Sequence, residues 1–168
     1  AMGRDVADLE ELVNELLLIA NLRQAPPYSP KAIPARVLVE DVIRRAKDEM
    51  RAFGRDIAIE PPKNLPETFQ CDGKFLARAL VNVVRNAVLH ARSRVVLTVE
   101  QAAGRTTVHV DDDGPGIAPA DRERLFAPFT RAETSRDRET GGVGLGLAIV
   151  KSVAEWLRSN TPPAARVA

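Results

Sequence analysis

A chain of 168 residues, 45% hydrophobic and 28% charged, has room for one domain plus a short appendage, and its apolar runs are too short to cross a bilayer. A formal net charge of +1 gives no global field to draw in nucleic acid or an acidic membrane surface. The single cysteine, Cys71, excludes an internal disulfide and suits a reducing compartment.

Ala1-Met2-Gly3 reads as a vector remnant and is set aside from fold reasoning. From Asp5 to about Arg23 the residues Val6, Leu9, Leu12, Val13, Leu16, Leu17, Ile19 and Ala20 recur at helical spacing, with Asp8, Glu11 and Glu15 between them. Nothing nearby in sequence covers this stripe, so the helix is a candidate for packing on another chain or on a missing helix. Pro26, Pro27, Pro30 and Pro34 then end the helix and read as a stiffened linker over residues 25–36.

A second helical pattern runs from about Val37 to Phe53, and Ile57 to Ile59 reads as a short strand before loops marked by Pro61, Pro62 and Pro66. Asp72 is placed as the N-cap of a helix reaching about Ala91, with Phe75, Leu76, Leu80, Val83, Val84 and Val88 inward. Arg94 to Glu100 and Thr106 to Asp112 alternate as two strands joined around Gly104. A short helix from Pro119 to Phe126, a loop, and a helix from about Leu145 to Leu157 follow. This order predicts a two-layer α/β (α+β) sandwich, with helices stacked on one face of a mixed sheet.

Two glycine-rich turns carry the chemistry. The first, Asp111-Asp-Asp-Gly-Pro-Gly116, follows a strand in which Val108, Val110 and Asp112 share a face, so Asp112 lies at the inner rim of the core beside Gly114 and Gly116. An ionised carboxylate only accepts hydrogen bonds, and its natural partner is a donor such as the exocyclic amine of adenine. Taken alone, an acidic turn of this kind is more often structural. The second turn, Gly142-Val143-Gly144-Leu145-Gly146, opens a helix, where unpaired N–H groups and the helix dipole favour phosphate. It has neither the Lys-Ser/Thr ending of a Walker loop nor the leading strand of a dinucleotide fingerprint. The loop before it, Thr130 to Thr140, carries Arg131, Arg136 and Arg138 and reads as a lid. Asn82 and Asn86, four apart on one helical face, offer amide oxygens of the kind Mg²⁺ accepts beside phosphates and waters.

In combination, Asn82 to Asn86, Asp112 to Gly116, Phe126 to Phe129 and Gly142 to Leu147 resemble the N, G1, F and G2 boxes of the ATP-binding catalytic domain of bacterial sensor histidine kinases, within the GHKL superfamily. The resemblance covers roughly residues 37 to 157. The Val110-Asp-Asp-Asp-Gly-Pro-Gly stretch, Asp121-Arg-Glu and Arg136-Asp-Arg-Glu-Thr-Gly-Gly look most like the Cpx-type envelope-stress sensors. The first helix is similar to the second helix of the family's dimerisation and phosphotransfer hairpin. The resemblance thus divides the chain into a hairpin helix within residues 1–24, the linker 25–36, a catalytic domain over 37–158, and a tail 159–168 without the family's usual last strands.

By that resemblance Asp112 would bind the adenine amine, Asn86 would ligate Mg²⁺ and Asn82 would assist at the phosphates. Gly114 and Gly116 would shape the first turn. Gly142, Gly144, Leu145 and Gly146 would form the phosphate-side turn and helix start. Phe126 and Phe129 would anchor the lid base, with Arg131 on phosphate and His90 in part replacing a basic residue the family carries. The implied cofactors are ATP and Mg²⁺. The implied partners are a histidine-bearing hairpin, a response regulator and, in the full-length protein, a second copy, with the fragment on the cytoplasmic side of a membrane. His90 and His109 are the only histidines, and neither lies in a phosphoacceptor motif. The non-enzymatic alternative is a nucleotide-dependent binding module. A GHKL-type hydrolase would place a glutamate general base where this chain has Asn82.

Overall fold

The computed structural model describes residues 2–24, 30–102, 105–130, 144–160 and 166–167. In chain order these form α1 (Met2–Gln24), β1 (Lys31–Pro34), α2 (Ala35–Ala52), β2 (Ala58–Glu60), β3 (Thr68–Cys71), α3 (Gly73–His90), β4 (Arg94–Ala102), β5 (Arg105–Asp112), two 3-10 turns (Pro119–Asp121 and Arg124–Phe126), α4 (Gly146–Asn160) and β6 (Arg166–Val167).

The helices form where apolar side chains return at three- and four-residue intervals. In α2 the buried set is Ala35, Leu38, Val39, Val42, Ile43, Ala46 and Met50, a single stripe. Asp72 caps α3 as expected, its Oδ1 accepting from the N–H groups of Lys74 and Phe75 at 2.9 and 3.1 Å. Helix α3 packs between α2 and α4, where the Phe75 and Trp156 rings meet edge to face at 4.7 Å.

The main sheet has the order β2-β4-β5-β6, with β4 and β5 antiparallel from Val95↔Asp112 to Ala102↔Arg105 and both outer strands parallel to their neighbours. Val95 and Leu97 of β4 are buried in the core with Leu76, Leu80 and Val84 of α3. The result is the expected two-layer α/β sandwich.

Several local expectations change. The stretch read as linker contains β1, which pairs antiparallel with β3 from Lys31↔Cys71 to Pro34↔Thr68. Neither strand was expected, because each has four residues and finds its partner only through the fold. The tail supplies β6, two residues paired with Arg105 and Thr106. Pro119 to Phe126 is two 3-10 turns rather than one helix. Phe75 and Val83, expected inward, are half-buried.

Helix α1 is apolar on two faces rather than one. Leu22 is buried and Leu12, Leu18 and Ile19 pack against the domain's own core, where α1 meets α4. Glu15, also buried on that side, accepts from Arg78 of α3 at 3.1 Å. The opposite face leaves Val6, Leu9, Val13, Leu16 and Leu17 exposed. Among the described residues no helix is long and apolar enough to cross a membrane.

Candidate functional site

Helix α3 acts as a ruler along which the predicted site residues are set out. Asn82, Asn86 and His90 are four residues apart, so successive members lie about 6 Å apart along the axis. At the Asn82 end, the helix touches the start of α4: a β-carbon built on Gly146 would lie 3.0 Å from Asn82 Oδ1. At the His90 end it touches the first glycine turn, where a β-carbon on Gly114 would lie 2.5 Å from the His90 carbonyl oxygen. The two turns are therefore held about 12 Å apart along one helix, with Asn86 between them.

At the first turn, Asp112 ends β5 on the strand face that Val108 and Val110 turn to the core, but its carboxylate has passed the edge of that core and is exposed. Its Oδ1 accepts from the Gly114 N–H at 2.8 Å, which orients the group. Among the described residues nothing donates to its second oxygen. Gly116 has φ +74, and no atom lies within 4 Å of a β-carbon built there.

Asn82 is held inside the fold. It is buried at 7% exposure, and its Nδ2 donates to the Arg78 carbonyl at 3.0 Å. A buried amide finds partners inside the fold, and Asn82 supports the start of α4, its Oδ1 lying beside Gly146. Asn86, one turn on, is half-buried, while His90 is exposed at the last turn of α3. Between the two asparagines, Arg85 Nε is 3.1 Å from Glu49 Oε1 and ties α3 to α2.

The second turn is anchored from inside. The Leu145 side chain, 1% exposed, is a core residue, and its carbonyl accepts from the Ile149 N–H at 2.9 Å, so only its backbone faces outward chemistry. Gly144 has φ +78 and packs against the backbone of Phe129 and Thr130. The Phe129 N–H donates to the Gly144 carbonyl at 3.1 Å, which brings residues 129 and 144 together. The Phe126 and Phe129 rings are 39% and 59% exposed. Residues 129 and 144 are thus joined through backbone. Arg131 and Gly142 lie outside the described residues.

Two residues that the sequence reading did not single out shape the first-turn end of the site. Asp113 Oδ1 accepts from the N–H groups of Arg92, Ser93 and Arg94 at 2.8, 3.0 and 3.1 Å, and its Oδ2 accepts from the Ser93 hydroxyl at 2.6 Å. These donors, the Ser93 hydroxyl foremost, hold its carboxyl well below the ordinary carboxylate range. Arg55 donates to the carbonyls of Leu89 and Ala91 at the C-terminus of α3. The signal for Asp113 was its position directly after a strand, where Asp caps turns.

The donor set fits a nucleotide. It offers an acceptor-only carboxylate at one end, an amide oxygen in the middle, and a helix start with closely packed glycines at the other.

A family model described as histidine kinase-, DNA gyrase B- and HSP90-like ATPase matches residues 71–162, more than half of the chain. The sensor histidine kinase CpxA of Escherichia coli K12 is 33% identical over 159 residues, covering 92% of this chain and 35% of that protein. The chain thus spans little more than a third of such curated relatives. Among solved structures, the histidine kinase AdeS of Acinetobacter baumannii shares the fold at a TM-score of 0.71 and 22% identity, over 92% of this chain and 71% of that one. Full-length ShkA in complex with AMPPNP gives a TM-score of 0.66 at 30% identity, over 92% of this chain and 32% of that one. On the fold, the two turns and these matches, the chain belongs to the histidine kinase-, DNA gyrase B- and HSP90-like ATPase family, as a GHKL-type histidine-kinase catalytic domain.

Proposed function

We propose that this chain binds ATP·Mg²⁺ and donates the γ-phosphoryl group to a histidine on a hairpin helix, as the kinase part of a two-component sensor whose response regulator receives the phosphoryl in turn. The carrying observation is the α3 ruler, which touches Gly114 at His90 and Gly146 at Asn82 with Asn86 between. In this reading the second oxygen of Asp112 accepts from the adenine amine. The N–H groups at the start of α4 face the phosphates, Asn86 supplies a ligand for Mg²⁺ and Arg131 lies to the phosphate side, whereas His90, at the Gly114 end of α3, stands on the adenine side and not where the resemblance put it. The metal, when bound, neutralises charge on the phosphate oxygens. The chain's own residues orient the nucleotide, which is most of what phosphoryl transfer asks of a protein.

The acceptor side is read from α1. Its exposed Val6, Leu9, Val13, Leu16 and Leu17 repeat at three- and four-residue spacing and suit the other helix of a hairpin or a second copy. The domain then works on the cytoplasmic side of a membrane-anchored parent. The nucleotide analogue named with ShkA is in keeping with the same site.

The test mixes the chain with γ-labelled ATP, Mg²⁺ and a separate hairpin domain bearing the phosphoacceptor histidine. Label on the hairpin supports the kinase. Binding without label favours a nucleotide-dependent module, and steady phosphate release without label favours a hydrolase. Asp112→Asn is expected to abolish ATP binding, and unchanged affinity would remove the adenine assignment.

A further inference from the structure

Helix α3 ends at the site, and the last carbonyls of any helix lack helical partners. Here Arg55, from the segment between α2 and β2, spans the end. One guanidinium nitrogen donates to the Leu89 carbonyl and the other to the Ala91 carbonyl, the latter at 2.6 Å. A two-pronged cation at the negative end of a helix dipole is a strong way to close it. The chain then turns, and the next three N–H groups, of Arg92, Ser93 and Arg94, all donate to Asp113 Oδ1. The Asp113 N–H in turn donates to the Arg94 carbonyl at 3.2 Å. Within residues 89–94 a cation takes two carbonyls, of Leu89 and Ala91, and an anion takes three amides, of Arg92, Ser93 and Arg94.

The contact that gives this clamp a purpose lies inside it. The carbonyl of His90 stands where any side chain on Gly114 would have to go. Asp113 sits between Asp112 and Gly114 in sequence, so the clamp that fixes Asp113 also fixes the two residues beside it. Gly114 then donates to Asp112 Oδ1, which passes the constraint to the carboxylate. We propose that Asp113 and Arg55 are positioning residues of the nucleotide site: without touching the ligand, they lock the Asp112 turn to the end of α3, and so set the distance from Asp112 to Asn86. The proposal rests on the nucleotide reading above. The donors around Asp113 keep it ionised well into acid, so the clamp holds across the working pH range.

The test uses the whole chain and ATP with Mg²⁺ as the probe, at a temperature where circular dichroism shows each variant folded. Asp113→Ala and Arg55→Ala are expected to weaken ATP binding by about tenfold or more. Asp113→Asn keeps an oxygen for the three N–H groups and is expected to stay within about threefold of the parent. A purely structural role would lower the unfolding temperature and leave the affinity of the folded protein unchanged. Folded alanine variants that bind like the parent, with Asp112→Asn losing ATP, overturn the proposal and leave the nucleotide reading intact. Parent-like binding by Asp112→Asn removes the adenine assignment and this proposal with it. If the alanine variants do not fold, Ser93→Ala and Arg55→Lys decide: reduced affinity in both supports the clamp, and parent-like affinity in both overturns it.

Discussion

Asn82 Oδ1 stands 3.0 Å from the point where a β-carbon on Gly146 would lie, so the first residue of α4 rests directly on the side of α3. Asn82 has little freedom to retreat, because its amide nitrogen is bonded to the Arg78 carbonyl. Gly146→Ala removes backbone entropy from the unfolded chain, worth about 0.5–1 kcal/mol. Crowding a packed contact costs about 1–3 kcal/mol. The crowding wins, and a net loss of about 1 kcal/mol in urea unfolding is expected. Because the two residues share one contact, adding Asn82→Ala should cost less than the sum of the singles by about 1 kcal/mol. Strict additivity would show that the contact has slack.

Glu15 ties α1 to the sandwich. Its side chain is 10% exposed and meets Arg78 at 3.1 Å, whose own side chain is 37% exposed. The pair therefore lies at the edge of the interface, with the carboxylate inside and the guanidinium partly in water. Glu15→Ala is expected to cost about 1–3 kcal/mol, the usual loss for a buried charged hydrogen bond. The loss should appear locally, as faster amide exchange in α1 with that of β4 and β5 unchanged. Uniform destabilisation of all elements would mean that α1 and the sandwich unfold as one unit.

The α1 result shows where sequence reading stops. Periodicity finds an apolar face but not its partner, so a helix apolar on two sides was read as carrying one uncovered stripe. The helices α2, α3 and α4 and the β4–β5 hairpin were legible because each buries one face locally and repeatedly. Strands β1 and β3 were not, since Lys31–Pro34 is four residues long and proline-bearing, and acquires strand geometry only by pairing with Thr68–Cys71. At the site, alternation along β5 assigned Asp112 its face correctly. The run of three aspartates hid the fact that Asp113 does the anchoring. Asn82 and Asn86 looked equivalent at four-residue spacing, and only the arrival of α4 over Asn82 separates them.

Asp113 makes acid stability specific. Its folded carboxyl lies below the ordinary range, with the Ser93 hydroxyl as the first cause, while an unfolded aspartate titrates near about 3.9. A depressed folded value means its contribution is present above the unfolded value and is lost as pH falls toward the folded one. Asp113→Asn has no such proton to take up. Urea midpoints measured from pH 6 downward are expected to fall more steeply for the parent than for this variant below about pH 4. Parallel curves would remove Asp113 from the acid response.

Cys71 behaves in the opposite sense. Burial, with Asp72 adding to it, pushes its thiol up to about 12. A thiol raised in the folded state keeps its contribution below the unfolded value of about 8.5 and loses it as pH climbs toward the folded one. Since the thiolate is the nucleophile, iodoacetamide at pH 8 is expected to label the native chain far more slowly than the urea-unfolded chain. Equal rates would mean that the β1–β3 pair opens readily.

Gly144 carries two costs that a comparison can separate. Its φ of +78 is a conformation that L side chains rarely adopt, and a β-carbon there would lie 2.9 Å from the Thr130 carbonyl oxygen. Gly54 shares the first cost and not the second: its φ is +64, with nothing within 4 Å of a β-carbon. Gly54→Ala therefore isolates the left-handed penalty, about 1–2 kcal/mol. Gly144→Ala must pay this and also displace backbone, which cannot rotate aside as a side chain can. It is expected to cost at least about 1 kcal/mol more than Gly54→Ala in urea unfolding. It should also break the Phe129 to Gly144 hydrogen bond that joins residues 129 and 144. ATP affinity should then fall in Gly144→Ala and hold in Gly54→Ala, because only the first change reaches the phosphate side of the site. Equal costs and equal affinities for the two variants would mean that the chain near Thr130 yields freely, and that the joint does not govern binding.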